Sequence, residues 1–209
     1  MNAALLKLYL ATDPDLTRGR DLAALVEAAV TAGVTLVQLR DKHADGARLY
    51  DSACRLRAVT RRLGVPLIIN DRVDVMLAAD ADGVHVGAND LPLEHVRRLA
   101  AGRLVGYSVN TEEDLRVAER HGADYIGVGP VFPTATKPDA RPTMGLDGLR
   151  RFTAATALPA VAIGGISTAN CAAAVQAGAE GVCVISAILG QPDPATAVRA
   201  FVRALTAAT

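Results

Sequence analysis

Acidic side chains stand at the ends of two neighbouring apolar segments of this sequence. Asp71 closes PLIIND, residues 66–71, and Asp90 follows shortly after GVHVG, residues 83–87. Carboxylate oxygens are the hard ligands that Mg²⁺ takes from proteins, usually one or two of them beside phosphate oxygens. A single aspartate before a helix is more typical of a helix cap. Two aspartates at neighbouring segment ends favour a metal site.

Basic side chains add a pattern suited to anionic oxygen. Arg40 ends LVQLR, Lys42 follows it closely, and Lys137 lies in the polar loop VFPTATKPDARPTMG, residues 131–145. A guanidinium binds phosphate through two parallel hydrogen bonds, whereas a lysine acts as a point charge. Threonine hydroxyls of the same loop can also donate to anionic oxygen. These residue types predict a site for phosphate or diphosphate groups.

Alternating segments must bring these side chains together. Apolar runs alternate with Ala- and Leu-rich amphipathic stretches, including a predicted helix over 46–63. The apolar runs cover residues 7–12, 36–40, 66–71, 83–87, 104–109, 125–131, 159–165 and 181–186. Continuous Val, Ile and Leu runs are typical of parallel strands that helices cover. The pattern predicts a single-domain (β/α)8 TIM barrel over residues 1–209, with a doubly wound open sheet as the alternative.

A barrel places its active site on the loops that follow the strands. Gln38, Asn70, Ser108 and Thr134 stand there beside the charged residues already named. Barrels of this kind often hold a phosphate after their last two strands, on backbone amides and a helix N-terminus. Gly164, Gly165 and Ser186 occupy that position. We therefore expect one polar mouth with an anion site at its strand 7–8 side.

Composition excludes several classes of function. The chain has 22 basic and 22 acidic side chains, so no overall field draws it to nucleic acid or to a membrane. No apolar run approaches the ~20 residues of a membrane span, and we expect a cytoplasmic protein. Cys54, Cys171 and Cys183 lack CxxC spacing, which argues against disulfides or zinc and favours small buried side chains. The sequence leaves open whether the protein forms a homo-oligomer.

Several stretches resemble the thiamine phosphate synthase (thiamine-phosphate pyrophosphorylase) family. The matching stretches are QLRDK, IINDRVDVMLAADADGVHVG with NDLP, GYSVNT, GPVFPTATK with a later MGLDGL, AIGGIS and VISAI, and they run in register from Tyr9 to Ile188. The resemblance implies a TIM-barrel transferase of thiamine biosynthesis with Mg²⁺ as cofactor. Its substrates would be 4-amino-2-methyl-5-(diphosphooxymethyl)pyrimidine and a thiazole phosphate, either 4-methyl-5-(2-phosphooxyethyl)thiazole or its carboxylated form. Pyrophosphate would be released.

The resemblance also implies roles for individual residues. Asp71 and Asp90 would bind the metal, and Lys137, Arg40 and Ser108 would be catalytic. The implied substrate-binding set is Gln38, Leu39, Arg40, Asp41, Lys42, Asn70, Ser108, Thr134, Ala135, Thr136, Lys137, Gly165, Ile185 and Ser186. Gln38, Asn70 and Ser108 would contact the pyrimidine diphosphate. The threonines of the polar loop would face the thiazole phosphate together with the last three residues of the set.

The implied reaction needs little proton chemistry from the protein. We expect carbon–oxygen cleavage to precede carbon–nitrogen bond formation, because an aminopyrimidine can stabilise a cation at its methylene. The protein then has to stabilise the leaving pyrophosphate and exclude water. No general base is required, since the thiazole nitrogen carries a lone pair. His85 lies within a predicted strand, and we interpret it as a packed structural histidine.

Three residues depart from the family pattern. Asn110 stands where the family often has His, and Ala88 and Asn89 stand where Gln and an acidic residue are common. These departures concern pyrophosphate contacts.

Two alternative functions remain. A related thiazole tautomerase would need a His near the strand-6 end, where this chain has residues 130–132, Pro-Val-Phe. A non-catalytic barrel that binds a phosphorylated metabolite would have no reason to combine two aspartates with Lys137.

Overall fold

Eight parallel strands close into a barrel in the computed structural model, which describes residues 2–134 and 142–207. The strands are β1 (Leu8–Ala11), β2 (Leu36–Leu39), β3 (Leu67–Asn70), β4 (Gly83–Val86), β5 (Leu104–Val109), β6 (Tyr125–Val128), β7 (Ala160–Ile163) and β8 (Gly181–Val184). Strand β1 pairs with β2 on one side and with β8 on the other. The sheet therefore has no edge, which confirms the predicted TIM barrel and excludes the open sheet.

Helices surround the barrel in the described ranges. They are α1 (Leu22–Ala32), α2 (Gly46–Leu63), α3 (Val73–Ala78), α4 (Leu93–Leu99), α5 (Glu112–Arg120), α6 (Gly145–Ala154), α7 (Cys171–Gln176), α8 (Ser186–Leu189) and α9 (Pro194–Thr206), with 3₁₀ helices at Ala3–Leu6 and Pro14–Thr17. The helix predicted over 46–63 is confirmed at those bounds. Residue 186, predicted to end a strand, instead begins the short α8. None of the described helices is long and apolar enough to cross a lipid bilayer.

Side-chain caps set where two of the helices begin. Asp45 accepts a hydrogen bond from the backbone N–H of Arg48 and starts α2. Thr111 and Asp114 form a reciprocal capping box at the start of α5. Such caps satisfy N–H groups that have no partner inside the helix. Because both helices begin directly after barrel loops, the caps also fix the direction in which those loops leave the strands.

Two apolar layers hold the fold together. The larger layer lies between the strands and the helices. The smaller layer fills the barrel interior and consists of Leu6, Tyr9, Ala11, Leu36, Ile68, Tyr125, Val161 and Cys183. Side chains alternate between these layers along each strand. Cys171 and Cys183 are buried as predicted, whereas Cys54 is only partly buried.

Candidate active site

Asp71 and Asp90 meet beyond the ends of β3 and β4. The backbone N–H of Asp71 donates to the carbonyl oxygen of His85 at 2.9 Å, and Asp71 has a left-handed φ of 61°, a conformation that aspartate tolerates better than most residues. Asp90 Oδ2 accepts the N–H of Gly87 at 2.7 Å, which folds the loop after β4 back on itself. The backbone therefore holds both carboxylates at one point of the mouth.

Electrostatics at this pair suit a divalent cation. Burial first, and then the charge of Asp90, raise the pKa of Asp71 to about 6, although the nearby Lys42 ammonium acts in the opposite direction. Two close carboxylates in a partly buried place repel each other unless a proton or a cation lies between them. Magnesium commonly takes only one or two protein carboxylates. The described residues contain no group of three or more His, Cys, Asp and Glu side chains suited to a metal.

Arg40 lies at the end of β2 with its side chain mostly buried. Its Nη1 is 3.4 Å from Asp13 Oδ2, and its side chain is 13% exposed. The buried Thr12 accepts the Arg40 N–H at 2.9 Å and donates to the Arg40 carbonyl oxygen at 3.1 Å. Asp13 leaves most of the guanidinium N–H groups available, since Arg has five of them. The structure thus holds an oriented cation beside the mouth.

The side chains of two neighbours of Arg40 in the predicted substrate-binding set make contacts within the protein. Leu39 is 1% exposed and packs in the outer layer, so only its backbone faces the mouth. Asp41 Oδ1 accepts the N–H groups of His43 and Ala44 at 2.9 and 3.0 Å. That carboxylate shapes the loop before α2. Leu39 could therefore contribute only through its backbone, whereas substrate binding by Asp41 stays a prediction.

The barrel interior links Gln38 to Ser108 through residues that sequence reasoning did not assign to the site. Gln38 Nε2 donates to Tyr9 Oη at 2.6 Å, and His85 Nε2 is 3.0 Å from Ser108 Oγ. His85 is packed, as predicted, but it also contacts a predicted catalytic residue. Side chains alternate between the two faces of β4, so position 85 points into the barrel, and this alternation is the sequence signal that could have assigned His85 to the site. Asn70, paired with His85 in the β3–β4 register, makes a side-chain hydrogen bond with Asp71.

The loops after β6 and β7 pack directly on each other. The Phe132 N–H donates to the Gly164 carbonyl oxygen at 3.0 Å. A Cβ at Gly165 would overlap the Pro133 carbonyl oxygen, and its φ of 63° favours glycine as well. Asn170 accepts from the Ser167 N–H at 2.8 Å and donates to the Gly165 carbonyl oxygen at 3.0 Å. This packing carries the chain toward Thr134 beside the β7 end.

The remaining predicted residues divide into placed and undescribed ones. Ile185 and the exposed Ser186 stand at the start of α8, after β8. Ala135, Thr136 and Lys137 lie outside the described residues, so their roles stay predictions.

The three departures from the family pattern fall outside the paired carboxylates. The Asn110 side-chain amide donates to the Gly129 carbonyl oxygen, and its backbone N–H donates to Asp114 Oδ2 at 3.0 Å. Asn110 therefore ties the end of β6 to the start of α5. Ala88 and Asn89 are exposed in the loop between β4 and Asp90.

Comparisons with known proteins agree with this architecture. The family model described as Thiamine monophosphate synthase matches residues 8–188. A thiamine-phosphate synthase of Chloroflexus aurantiacus is 50% identical over 203 residues, which cover 97% of this chain and 94% of the relative. One from Desulfitobacterium hafniense strain Y51 is 48% identical, with 92% and 93% covered. The solved thiamine phosphate pyrophosphorylase of Pyrococcus furiosus superposes with a TM-score of 0.91 at 38% identity and covers 99% of this chain and 98% of its own. This chain therefore belongs to the thiamine monophosphate synthase family.

Proposed function

We propose that this barrel is a transferase that joins a (diphosphooxymethyl)aminopyrimidine to a thiazole phosphate and releases pyrophosphate, forming thiamine phosphate. Relatives that share half of its residues carry the name of that enzyme. The observation that carries the proposal is the pair Asp71 and Asp90 beside Lys42, with the raised pKa of Asp71. Paired carboxylates next to a lysine suit a diphosphate that arrives with a divalent cation.

Asp71 and Asp90 are the residues that would hold Mg²⁺. The bound ion would supply positive charge to the diphosphate oxygens. Asn70 supports this arrangement through its side-chain hydrogen bond to Asp71, and the Gly87 N–H fixes Asp90. The protein thereby presents two oriented carboxylates without closing the site with further acidic ligands.

The chain's own cations and hydroxyls would stabilise the leaving pyrophosphate. Arg40 is held by Asp13 at the mouth and can bind diphosphate through two parallel hydrogen bonds. Ser108 offers a hydroxyl donor, and Lys137 is proposed to add a second charge from the polar loop. Donors that are oriented before the bond breaks lower the barrier most, because they need no reorganisation.

Water exclusion is the second task that we assign to the barrel. A cation at the pyrimidine methylene would react with water as well as with the thiazole nitrogen. The inward side chains below the mouth include an apolar layer, which would help to keep water away from the reacting face of the pyrimidine. No residue is needed as a general base, because the thiazole nitrogen attacks with its own lone pair.

Pyrophosphate release from the purified protein, both substrates and Mg²⁺ tests this function. Asp71→Asn and Asp90→Asn should each lose most activity, with partial rescue by raised Mg²⁺ if the remaining carboxylate still holds the ion. Asp74→Asn is the matched control, because Asp74 is an exposed partner of Arg72 at 2.6 Å outside the proposed site. Near-normal turnover of either site variant at low Mg²⁺ would remove that residue from the metal site.

The same assay separates the alternative functions. A thiazole tautomerase would convert its substrate without releasing pyrophosphate. A regulatory barrel would bind a phosphorylated ligand and turn over neither substrate. A well-folded protein that releases no pyrophosphate would refute the synthase proposal. The cytoplasmic location and a homo-oligomeric state stay predictions.

A further inference from the structure

A continuous chain of buried hydrogen bonds crosses the inside of the barrel. It runs from Gln38 Nε2 to Tyr9 Oη at 2.6 Å, on to Tyr125 Oη at 3.0 Å, to His85 Nδ1 at 3.2 Å, and from His85 Nε2 to Ser108 Oγ at 3.0 Å. The two tyrosines are each at most 1% exposed, Gln38 is 5% exposed and His85 9%. Both ends of the chain are residues assigned above to the substrate site, and the three inner members are not.

Glycines leave the space that this chain occupies. A Cβ at Gly106, which pairs with His85 in the β4–β5 register, would overlap the Tyr125 ring and His85 Nδ1. A Cβ at Gly127 would lie 3.2 Å from His85 Cε1. The imidazole is thus enclosed by backbone on two sides. Its ring orientation is set by packing as well as by hydrogen bonds.

Proton counting gives the chain a direction. The Gln38 amide nitrogen can only donate, so Tyr9 Oη accepts there and has its single proton for Tyr125. Tyr125 Oη then has its own proton for His85 Nδ1. Burial raises the pKa of both phenols, so both remain donors. His85 must accept at Nδ1 and donate from Nε2, and the Ser108 hydroxyl accepts that bond.

The ends of the chain are polarised as a result. Ser108 Oγ accepts from His85, so its hydroxyl hydrogen is available to an acceptor at the mouth. The Gln38 amide nitrogen is held by Tyr9, so its carbonyl oxygen points away from that phenol. No buried side-chain nitrogen or oxygen in the described ranges lacks a hydrogen bond, and no described residue donates to that oxygen. It therefore faces accessible space.

We propose that Tyr9, Tyr125 and His85 are positioning residues for the pyrimidine substrate. They present the Gln38 carbonyl oxygen as an acceptor and the Ser108 hydroxyl as a donor. The reverse direction of the same chain would present an amide N–H₂ and a serine lone pair instead. A diphosphate oxygen accepts only, so an anion at Ser108 favours the direction deduced from the Gln38 amide, and the hydrogen-bond chain transmits that preference to Gln38.

The consequence is a preference for an amino group over an oxo group on the pyrimidine ring, and this consequence rests on the proposed function. A carbonyl oxygen accepts from an exocyclic amine but repels an oxo oxygen. A site built to hydrogen-bond one group rejects the analogue that lacks it, because a buried polar group is left unpaired. The chain couples recognition of the diphosphate to recognition of the ring through residues that touch neither.

The tautomer of His85 tests the direction without any substrate. Nitrogen-15 spectra of the imidazole should show the Nε2–H tautomer in the free protein and after addition of inorganic pyrophosphate with Mg²⁺. An Nδ1–H tautomer in either sample would mean the reverse direction and would overturn the proposal. This measurement stands even if the protein proves to have another activity.

Binding selectivity tests the coupling. Dissociation constants for the aminopyrimidine diphosphate and its 4-oxo analogue are compared in the absence of the thiazole phosphate. Tyr125→Phe and Tyr9→Phe should each reduce the amino preference about tenfold, the scale of one hydrogen bond. The double variant should lose no more than either single variant, because one cut already breaks the chain. Tyr107→Phe, a buried β5 tyrosine of the outer layer, should keep the preference.

Unchanged selectivity in both single variants, or losses that multiply in the double variant, would make the tyrosines ordinary packing residues. If a variant does not fold, the tautomer of the unaltered protein decides the question. The unaltered protein could bind neither pyrimidine although His85 is the Nε2–H tautomer. That result would refute the proposed function, whereas the direction of the hydrogen-bond chain would still stand.

Discussion

Replacing Asp71 by Asn should stabilise the metal-free protein above about pH 6, although it removes a proposed metal ligand. The folded protein raises the pKa of Asp71 through burial and the charge of Asp90. A raised pKa means that ionising this carboxylate costs more in the folded than in the unfolded chain. Asparagine has the same shape, carries no charge and tolerates the left-handed φ of 61° at this position. The variant should therefore remove a destabilising charge without disturbing the loop.

The size of the effect follows from the shift. Raising the pKa from 3.8 to about 6 corresponds to an upper limit of about 3 kcal/mol, at ~1.4 kcal/mol per pKa unit. Asp71 is partly exposed, and solvent screens its interaction with Asp90, so the expected gain is about 1 kcal/mol. For a chain of this length that gain raises the Tm by about 3 °C.

Thermal unfolding in EDTA across pH measures this gain. Below about pH 4 the carboxyl is protonated in both states, so the variant and the unaltered protein should agree. Between about pH 4 and 6 the unfolded chain ionises first, and the unaltered protein loses stability relative to the variant. Above about pH 7 the difference should be constant. Saturating Mg²⁺ should reverse the order, because only the unaltered pair binds the ion well.

Asp74→Asn is the matched control, with the opposite sign. The Arg72 guanidinium lowers the pKa of Asp74, so the ionised carboxylate stabilises the folded protein and its removal should slightly lower the Tm above about pH 4. A destabilised Asp71→Asn protein in EDTA, or a gain that does not change with pH, would refute the argued repulsion between the two carboxylates.

Further variants test other parts of the site. Lys137→Ala should lower turnover by about 10²- to 10³-fold with less effect on substrate affinity, as expected when one preorganised donor to developing charge is lost. Steady-state kinetics of pyrophosphate release measure both quantities. An intact turnover with a raised Michaelis constant would assign Lys137 to ground-state binding. Thr136→Val should mainly weaken thiazole phosphate binding, which calorimetry can check. Arg40→Lys should raise the Michaelis constant for the pyrimidine diphosphate about tenfold, since the paired donors are lost, and an unchanged constant would contradict the proposed contact. Gly106→Ala should unfold at a lower temperature than Gly127→Ala. The added Cβ overlaps the Tyr125 ring in the first variant, whereas it only approaches His85 Cε1 at 3.2 Å in the second. Equal Tm values would contradict the tight packing around His85.

Local patterns were enough to predict the architecture, and they also predict where the site lies. Continuous apolar runs separated by amphipathic stretches predict parallel strands covered by helices, and the closed barrel confirms this. Because parallel strands in a barrel point the same way, residues that follow them in sequence must meet at one mouth. That rule predicts that Asp71 and Asp90 lie close together, and in the structure the charge of Asp90 raises the pKa of Asp71, as expected for neighbouring carboxylates.

The direction of individual side chains was harder to obtain from sequence. Leu39 lies between predicted site residues but faces the outer layer, because strand side chains alternate and a family motif does not state which face each letter occupies. The resemblance implies that Asp41 of QLRDK binds substrate, whereas in the structure its carboxylate accepts hydrogen bonds from backbone N–H groups of its own loop. Such local hydrogen bonds depend on loop conformation, which the motif leaves unspecified.

Only the tertiary structure decided the buried chain through Tyr9, Tyr125 and His85. Tyr9 and Tyr125 are 116 positions apart in sequence, and Tyr125 and His85 are 40 apart. The residue types by themselves indicate ordinary core tyrosines and a packed histidine. Hydrogen bonds form between them because barrel closure turns β1, β4 and β6 toward one axis and because glycines leave room for the rings. The sequence determines which groups can donate and accept, whereas their order along a directed chain exists only once the barrel has closed.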